Sequence, residues 1–272
     1  MTRHAMLLSV FLALLLCAAN AVHAQDPAAK PPLEITADRA LEWHRKDQRF
    51  IARDNAIAKQ GDTAVAAATL TADYREEKGK GFDISRITAD GNVVISARDS
   101  HAYGAHAIYD LQTGLATMTG ESLKMVSPDQ TVTARESFEY NVTAGRLTAK
   151  GNASVTRKND RGEINTLEAD TITALLQDTP EGKRTLQSLE ADGHVVITTP
   201  TEIVTGSHGL YQAGSNTAEL TGGVTIKRGP NILQGERATV DLNANNSQMF
   251  GSGGETGRVR GVFYPESESN KP

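Results

Sequence analysis

Apolar and polar residues alternate along most of this chain, and the alternation is centred on a recurring turn-like residue. The segment ITADGNVVI at residues 87 to 95 returns as LEADGHVVI at residues 189 to 197, with six of nine positions identical. Around Gly91 the apolar residues are Ile87, Ala89, Val93 and Ile95. A period of two places successive side chains on opposite faces of a β-strand. The pattern therefore predicts strands with one apolar face, each carrying a bulge or corner at the glycine.

This strand recurs along the chain and is separated by strands of a second type. The residues at its centre are Asp54, Gly91, Gly120, Gly151, Gly193 and Gly222. Around Gly120 the apolar residues come one position late, which predicts an extra, bulged residue. The second type has a small residue followed four positions later by a larger apolar one, as in GAHAIYD at residues 104 to 110. Together they predict an all-β fold, a solenoid-like stack of six or seven antiparallel strand pairs.

The two ends of the chain do not follow this pattern. Residues 1–24 combine Arg3, an apolar run and Val22-His23-Ala24, which is typical of a cleaved signal peptide. Residues 25–32 predict a linker, and residues 266–272 a flexible tail. The repeat domain then covers residues 33–265, either as one unit or as two tandem halves, about 33–165 and 166–265.

Composition and motifs argue against several functional classes. The net charge of −5 becomes −6 when the predicted signal peptide takes Arg3 with it, which is too acidic for a nonspecific nucleic-acid binder. The single cysteine lies in that same segment, so thiolate chemistry is excluded from the mature chain. Asp90 and Asp192 occupy equivalent corner positions, which favours a turn over a catalytic pair. His101 and His106 are five residues apart, which predicts opposite faces of a strand and no metal pair.

The predicted inner face carries Ala, Val, Ile and Leu with few aromatic residues, and many positions hold only Ala or Gly. Such a lining either packs closely or leaves room for an apolar ligand, and the pattern alone favours neither.

Four segments resemble the OstA-like family of periplasmic lipopolysaccharide-transport bridge proteins. They are PLEITADRALEW (32 to 43), FIARDNAIAKQGDTAVAAATLTADY (50 to 74), ADGNVVI (89 to 95) and GRVRGVFYP (257 to 265). The chain is longer than the usual bridge protein, and Asp54, Ala56 and Ala58 replace the expected glycine and larger aliphatic residues. The resemblance implies an open β-jellyroll whose interior holds the acyl chains of lipid A, and copies that stack end to end.

Combining the resemblance with the apolar pattern yields a predicted set of site residues. The predicted lipid-binding groove consists of Ile35, Ala37, Phe50, Ala52, Ile87, Val93, Ile95, Tyr109, Phe138, Val155, Leu189, Val195 and Ile197. The predicted edge strands, which would pair with partners, carry Leu33, Ile35, Val259 and Phe263.

The expected function is a periplasmic carrier that passes lipopolysaccharide from the inner to the outer membrane, without cofactor, metal or catalysis. Its expected partners are lipopolysaccharide, the inner- and outer-membrane components of the transport machinery, and further copies of itself in a head-to-tail oligomer. Two alternatives stay open: a periplasmic β-solenoid enzyme acting on polysaccharide, and a structural or adhesive solenoid. The enzyme predicts acids and bases clustered on one outward face, and the structural solenoid predicts a filled interior.

Overall fold

The computed structural model describes residues 32–77, 81–158, 162–179, 184–241, 243–244, 246–252 and 257–264. The predicted signal peptide, the tail and all of the linker except Pro32 lie outside these residues. Within the described ranges, every regular element is a β-strand, and no helix is long and apolar enough to cross a membrane.

In the described ranges eighteen strands form one antiparallel sheet, which confirms the predicted all-β stack. The strands are β1 (Glu34–Thr36), β2 (Ala40–His44), β3 (Arg49–Gln60), β4 (Thr63–Glu77), β5 (Gly81–Ala97), β6 (Ser100–Asp110), β7 (Leu115–Thr119), β8 (Leu123–Val126), β9 (Gln130–Ala134), β10 (Ser137–Asn141), β11 (Arg146–Lys158), β12 (Ile164–Asp178), β13 (Arg184–Thr198), β14 (Ile203–Gln212), β15 (Thr217–Arg228), β16 (Asn231–Asp241), β17 (Asn246–Phe250) and β18 (Arg260–Val262). The division considered between residues 165 and 166 falls inside β12.

Most long strands pair with the strand before and the strand after them, so each long strand forms one level of the stack and successive levels follow the order of the chain. Four levels consist of two short strands each: β1 with β2, β7 with β8, β9 with β10, and β17 with β18. The eighteen strands therefore make fourteen levels. Because every pairing is antiparallel, neighbouring levels run in opposite directions.

Corners divide each long strand into two parts. Five strands carry two consecutive residues with positive φ at a shift of pairing register: Asp54 and Asn55, Gly91 and Asn92, Gly151 and Asn152, Gly193 and His194, and Gly222 and Gly223. The left-handed conformation suits Gly and Asn, and a bulge bends the strand that contains it. This confirms the predicted corners. At Gly120 the prediction of a bulge was wrong, because residues 120–122 separate β7 from β8.

We call the side of the corners that contains β2, β7, β10 and β17 arm A, and the side that contains β1, β8, β9 and β18 arm B. Within the described residues every strand pairing runs along the stack, inside one arm. Side chains of both arms meet in a single apolar core between them, for example Ala89 of arm A and Val93 of arm B on β5. The two arms are thus joined by the corners and by side-chain packing.

Candidate functional site

The interior between the arms contains the predicted groove residues. Ala52, Val93, Phe138, Val155, Leu189 and Val195 belong to the buried core, and Ile35, Ala37, Ile95 and Ile197 pack against it. Phe50, Ile87 and Tyr109 line cavities within it. Period-two alternation, which the bulged strands keep across their two corner residues, brings these side chains to one face.

The apolar interior contains partly open cavities. A cavity of about 80 Å³ lies in the first part of the stack, where Ile87, Ile95 and Tyr109 meet Met118 and Phe138. A second, of about 70 Å³, lies further along, between Val155, Leu189, Val195, Ile197 and Tyr211. A smaller one, of about 20 Å³, lies beneath β1 and β2. The lining of all three is overwhelmingly apolar, so they are suited to hydrocarbon.

Adjacent cavities share a strand. β11 contributes Leu147 to the first cavity and Val155 to the second. The apolar interior is therefore continuous along the stack.

An aromatic group lies in arm A near the first level, on the strands β2 to β5, and the sequence pattern did not predict it. Phe50 stacks on Trp43 with ring centroids 5.6 Å apart, and Phe82 contacts Trp43, Phe50 and Tyr74 edge-on at 4.8 to 5.5 Å. Trp43 donates a hydrogen bond from Nε1 to the Tyr74 hydroxyl at 2.8 Å, and the Arg45 guanidinium lies 4.0 Å from the Trp43 ring centroid. The one signal available was that Trp43 is the only tryptophan in the sequence.

Glu42, on the outer face of β2, and Tyr211, in the wall of the second cavity, have shifted pKa values. A hydrogen bond from Arg53, supported by one from His44, lowers the pKa of Glu42 on β2 to about 2. Burial raises the pKa of Tyr211, whose hydroxyl donates to Asn216 Oδ1 at 3.0 Å. Tyr211 therefore stays a neutral donor in the cavity wall, and Glu42 stays ionised at neutral pH.

The outer ridge, beside the corners, carries acid–histidine pairs. His106 Nδ1 lies 2.6 Å from Asp90 Oδ1, and His208 Nδ1 lies 2.7 Å from Asp192 Oδ1. The two pairs occupy equivalent positions in different levels, as predicted for Asp90 and Asp192. Glu190 lies 3.8 Å from Nε2 of His208, and with Asp192 these groups are close enough for one cation. All of these contacts are solvated, so they carry little energy.

One expectation about the histidines was wrong. His101 and His106 precede the buried Ala102 and Ala107, so both project from the outer face. The residue opposite the Gly91 and Asn92 corner shifts the alternation on β6 by one. His101 accepts or donates a hydrogen bond with Ser96 at 3.0 Å rather than facing His106.

The predicted edge residues lie on the terminal strands of arm B. Ile35 is on β1, which pairs with β3, and Leu33 directly precedes that strand. Val259 and Phe263 flank β18, which pairs with β16. Leu33, Val259 and Phe263 are exposed. Each end of the stack also presents a second terminal strand in arm A, β2 or β17, which sequence reasoning missed.

Comparison with known proteins gives a family. The model of the family described as LptA/(LptD N-terminal domain) LPS transport protein matches the chain twice, over residues 34–136 and 131–246. Among solved structures, the chain is similar to LptH of Pseudomonas aeruginosa, described as the LptA-homologous periplasmic component of the conserved lipopolysaccharide transport device. That match has 12% identity, covers 86% of this chain and 96% of the other, and has a TM-score of 0.21. A comparison with curated proteins gave no match.

The two family matches together cover most of the chain, and they confirm the family resemblance predicted from the four segments. The chain belongs to the LptA/LptD N-terminal domain family of lipopolysaccharide-transport proteins.

Proposed function

We propose that this protein is a periplasmic carrier that shelters the acyl chains of lipopolysaccharide between its two arms and hands the lipid along the stack. The observation that carries this proposal is the continuous apolar interior with unfilled cavities of about 70 and 80 Å³. A solenoid with a purely structural role gains stability from a filled core, since each unfilled volume forfeits contacts.

The construction of the interior suits reversible entry of a hydrocarbon chain. The cavities are smaller than a long acyl chain, so the arms have to separate to admit one. Among the described strands, backbone pairing runs along the stack and side chains alone pack between the arms, so separating the arms breaks no ladder hydrogen bond there. Each methylene moved from water into the interior contributes about 0.8 kcal/mol, which offsets the lost side-chain contacts.

Lipid transfer of this kind requires no covalent step, and the family is one of transport proteins. The alternative of a polysaccharide-active enzyme would need acids and bases facing a substrate cleft. A cleft on the outer ridge has a mixed polar and apolar lining that includes Glu168, Asp170 and His194. There His194 Nδ1 is 2.9 Å from Asp170 Oδ2, and both side chains are strongly exposed. An exposed acid–histidine pair favours the carrier over the enzyme.

The ends of the stack support assembly into a longer bridge, through head-to-tail contacts between copies and contacts with the inner- and outer-membrane transport components. Fourteen levels spaced by about 4.8 Å give a stack about 60 Å long. The number of levels is even, so the last level runs opposite to the first. A following copy can therefore continue the antiparallel ladder, and unpaired terminal strands invite such addition.

Photo-crosslinking to lipopolysaccharide tests the carrier role. Crosslinkers at Ile35, Phe50, Ile87 and Ile95 should capture the lipid because these side chains line or pack against the cavities. Crosslinkers at Thr36 and Thr88 are the matched controls, one residue away on the outer face, and should not. Equal capture from both faces, or no capture from the inner one in a folded protein, would refute the proposal. Mass spectrometry of lipid that co-purifies with the mature protein identifies the cargo.

A further inference from the structure

The levels made of two short strands occur at four places: at both ends of the stack and side by side in its middle. In the middle, β7 and β8 form one level and β10 and β9 form the next. These two levels meet as the end of one unit and the start of another would. We call this contact the internal joint.

The start of the stack is repeated, in register, at the internal joint. Thr36 pairs with Ile57 on β3, and 97 positions later Thr133 pairs with Ser154 on β11. The same displacement of 97 relates the pair Leu41 and Ala52 to the pair Phe138 and Ala149. The two matches of the family model also begin 97 positions apart, at residues 34 and 131. The level of β9 and β10 is therefore the counterpart of the level of β1 and β2.

The end of the stack repeats the other side of the internal joint. Met118 pairs with Ala107 on β6, and 131 positions later Met249 pairs with Ala238 on β16. In arm B, Lys124 pairs with Tyr103 on β6, as Arg260 pairs with Gln234 on β16. The level of β17 and β18 is therefore the counterpart of the level of β7 and β8, with five more residues connecting its two strands.

Within the internal joint, these counterparts contact each other directly. β7 pairs with β10 through five residue pairs, among them Met118 with Phe138. β8 pairs with β9 through four, among them Lys124 with Thr133. Both arms thus take part in one joint.

Burial shows what the joint covers. Phe138, Tyr140 and Leu123 are exposed by only 5%, 4% and 1% inside the internal joint. Their counterparts at the free ends are also large and apolar, yet they are far more exposed: Leu41 by 59%, Trp43 by 44% and Val259 by 42%. Large apolar side chains at strand edges are costly unless another strand covers them.

We infer that the internal joint is a template for the contact between copies: β17 and β18 of one copy add to β2 and β1 of the next in the register that β7 and β8 keep with β10 and β9. This register sets Met249 opposite Leu41 in arm A and Arg260 opposite Thr36 in arm B. The chain is then a fused pair of stacking units, divided between β8 and β9. The inference rests on the proposed head-to-tail assembly of this chain with a second copy, and it adds the register of that contact and the internal template for it.

Disulfide trapping reads the register directly. Residues directly opposite in an antiparallel pair have Cα atoms about 4.5 to 5.5 Å apart, within the range that a disulfide spans. A pair slipped by two residues is about 8 Å apart, beyond that range. The predicted mature chain has no cysteine, so introduced cysteines are unique.

The experiment oxidises the mature double variant Thr36→Cys/Arg260→Cys and the slipped variant Thr36→Cys/Val262→Cys at the same protein concentration. The first should give a ladder of covalent multimers on a non-reducing gel, at least about tenfold more abundant than in the second. The variant Lys124→Cys/Thr133→Cys is the positive control, because the same pair geometry closes inside one chain. If that control stays reduced, the arm A pair Ala40→Cys/Phe250→Cys is used with its internal counterpart.

The outcomes separate the inference from the proposed function. Equal ladders from the matched and slipped variants would overturn the register while leaving head-to-tail assembly in place. Multimers that light scattering detects but that neither cysteine pair traps would also overturn the register and leave head-to-tail assembly in place. A wild-type protein that stays monomeric at high concentration would overturn both the template and the assembly. Capture of lipid by the inner-face crosslinkers is measured in a separate experiment, so the test of the carrier role does not depend on the disulfide result.

Discussion

Replacing Gly151 by alanine tests whether the corners specify the fold. Gly151 has φ of +84° and lies at the register shift between Lys150 and Ala153 on β11. A Cβ atom there would lie 2.6 Å from Cγ and 2.9 Å from the backbone nitrogen of Glu136. That nitrogen donates to the Lys150 carbonyl at 3.0 Å, and the Gly151 carbonyl accepts from Arg135 at 2.8 Å. The substitution therefore strains the corner and pushes on the turn between β9 and β10.

The expected cost follows from three contributions. A left-handed alanine costs about 1–2 kcal/mol relative to its preferred conformation. The lower entropy of the unfolded alanine chain returns about 0.4–1 kcal/mol. Moving backbone atoms away from the new methyl group costs about 1–3 kcal/mol. The free energy of unfolding should therefore fall by about 1–5 kcal/mol in Gly151→Ala, with about 3 kcal/mol at the centre of these ranges.

Gly223→Ala is the matched control, because it shares the backbone strain without the clash. Gly223 has φ of +70°, and its added Cβ would meet nothing within 4 Å. The variant should lose only about 0–1.6 kcal/mol, the left-handed cost less the unfolded-state gain, which is about 2 kcal/mol less than Gly151→Ala at the centre of the ranges. Urea unfolding followed by circular dichroism measures both variants against the wild type. Equal losses would show that the close approach of Glu136 costs nothing, and an unchanged Gly151→Ala would refute the need for glycine at this corner.

Two further predictions concern the ends of the stack. Deleting residues 258–272 removes β18 and leaves β17, so the protein should still fold. Its self-association should weaken at least about tenfold, as measured by light scattering across concentrations. Unchanged association would show that arm B contributes nothing to assembly. The pKa of Glu42 is lowered from its usual value of 4.5 to about 2, because its carboxylate is bonded to Arg53. This bond therefore stabilises the fold fully at pH values above 4.5, and the stabilisation is lost as the pH falls towards 2. The melting temperature of the wild type should thus fall more between pH 5 and pH 2.5 than that of Glu42→Gln, and parallel decreases would refute this role.

Much of the architecture could be predicted because alternation and corner residues are local properties. The side chains around Gly91 and Gly193 alternate with a period of two, which identified the inner face without knowledge of any neighbouring strand. The left-handed conformation favours Gly and Asn, so those residue types marked most of the corners. The predicted groove residues came together in space for that reason.

The local pattern did not predict strand breaks or side-chain faces where these are set by the register with a neighbouring strand. The segment TARESFEY at residues 133 to 140 has the small-then-large spacing of one continuous strand of the second type, yet Arg135 and Glu136 divide it into β9 and β10. The spacing of five predicts that His101 and His106 lie on opposite faces of β6. That prediction failed because the corner of β5 shifts the alternation on β6 by one residue. Neither break has a signature in its own strand, since both follow from the register with a neighbour.

The sequence by itself determined the fold class, the corner positions and the inner face, because each follows from residue type and spacing within one strand. Only the tertiary structure decided that the interior is incompletely filled, since a cavity depends on the summed volumes of side chains from both arms. It also decided the order in which split levels meet, and with it the likeness between the internal joint and the free ends. Register and volume are properties of several strands together, and a single strand's sequence encodes neither of them.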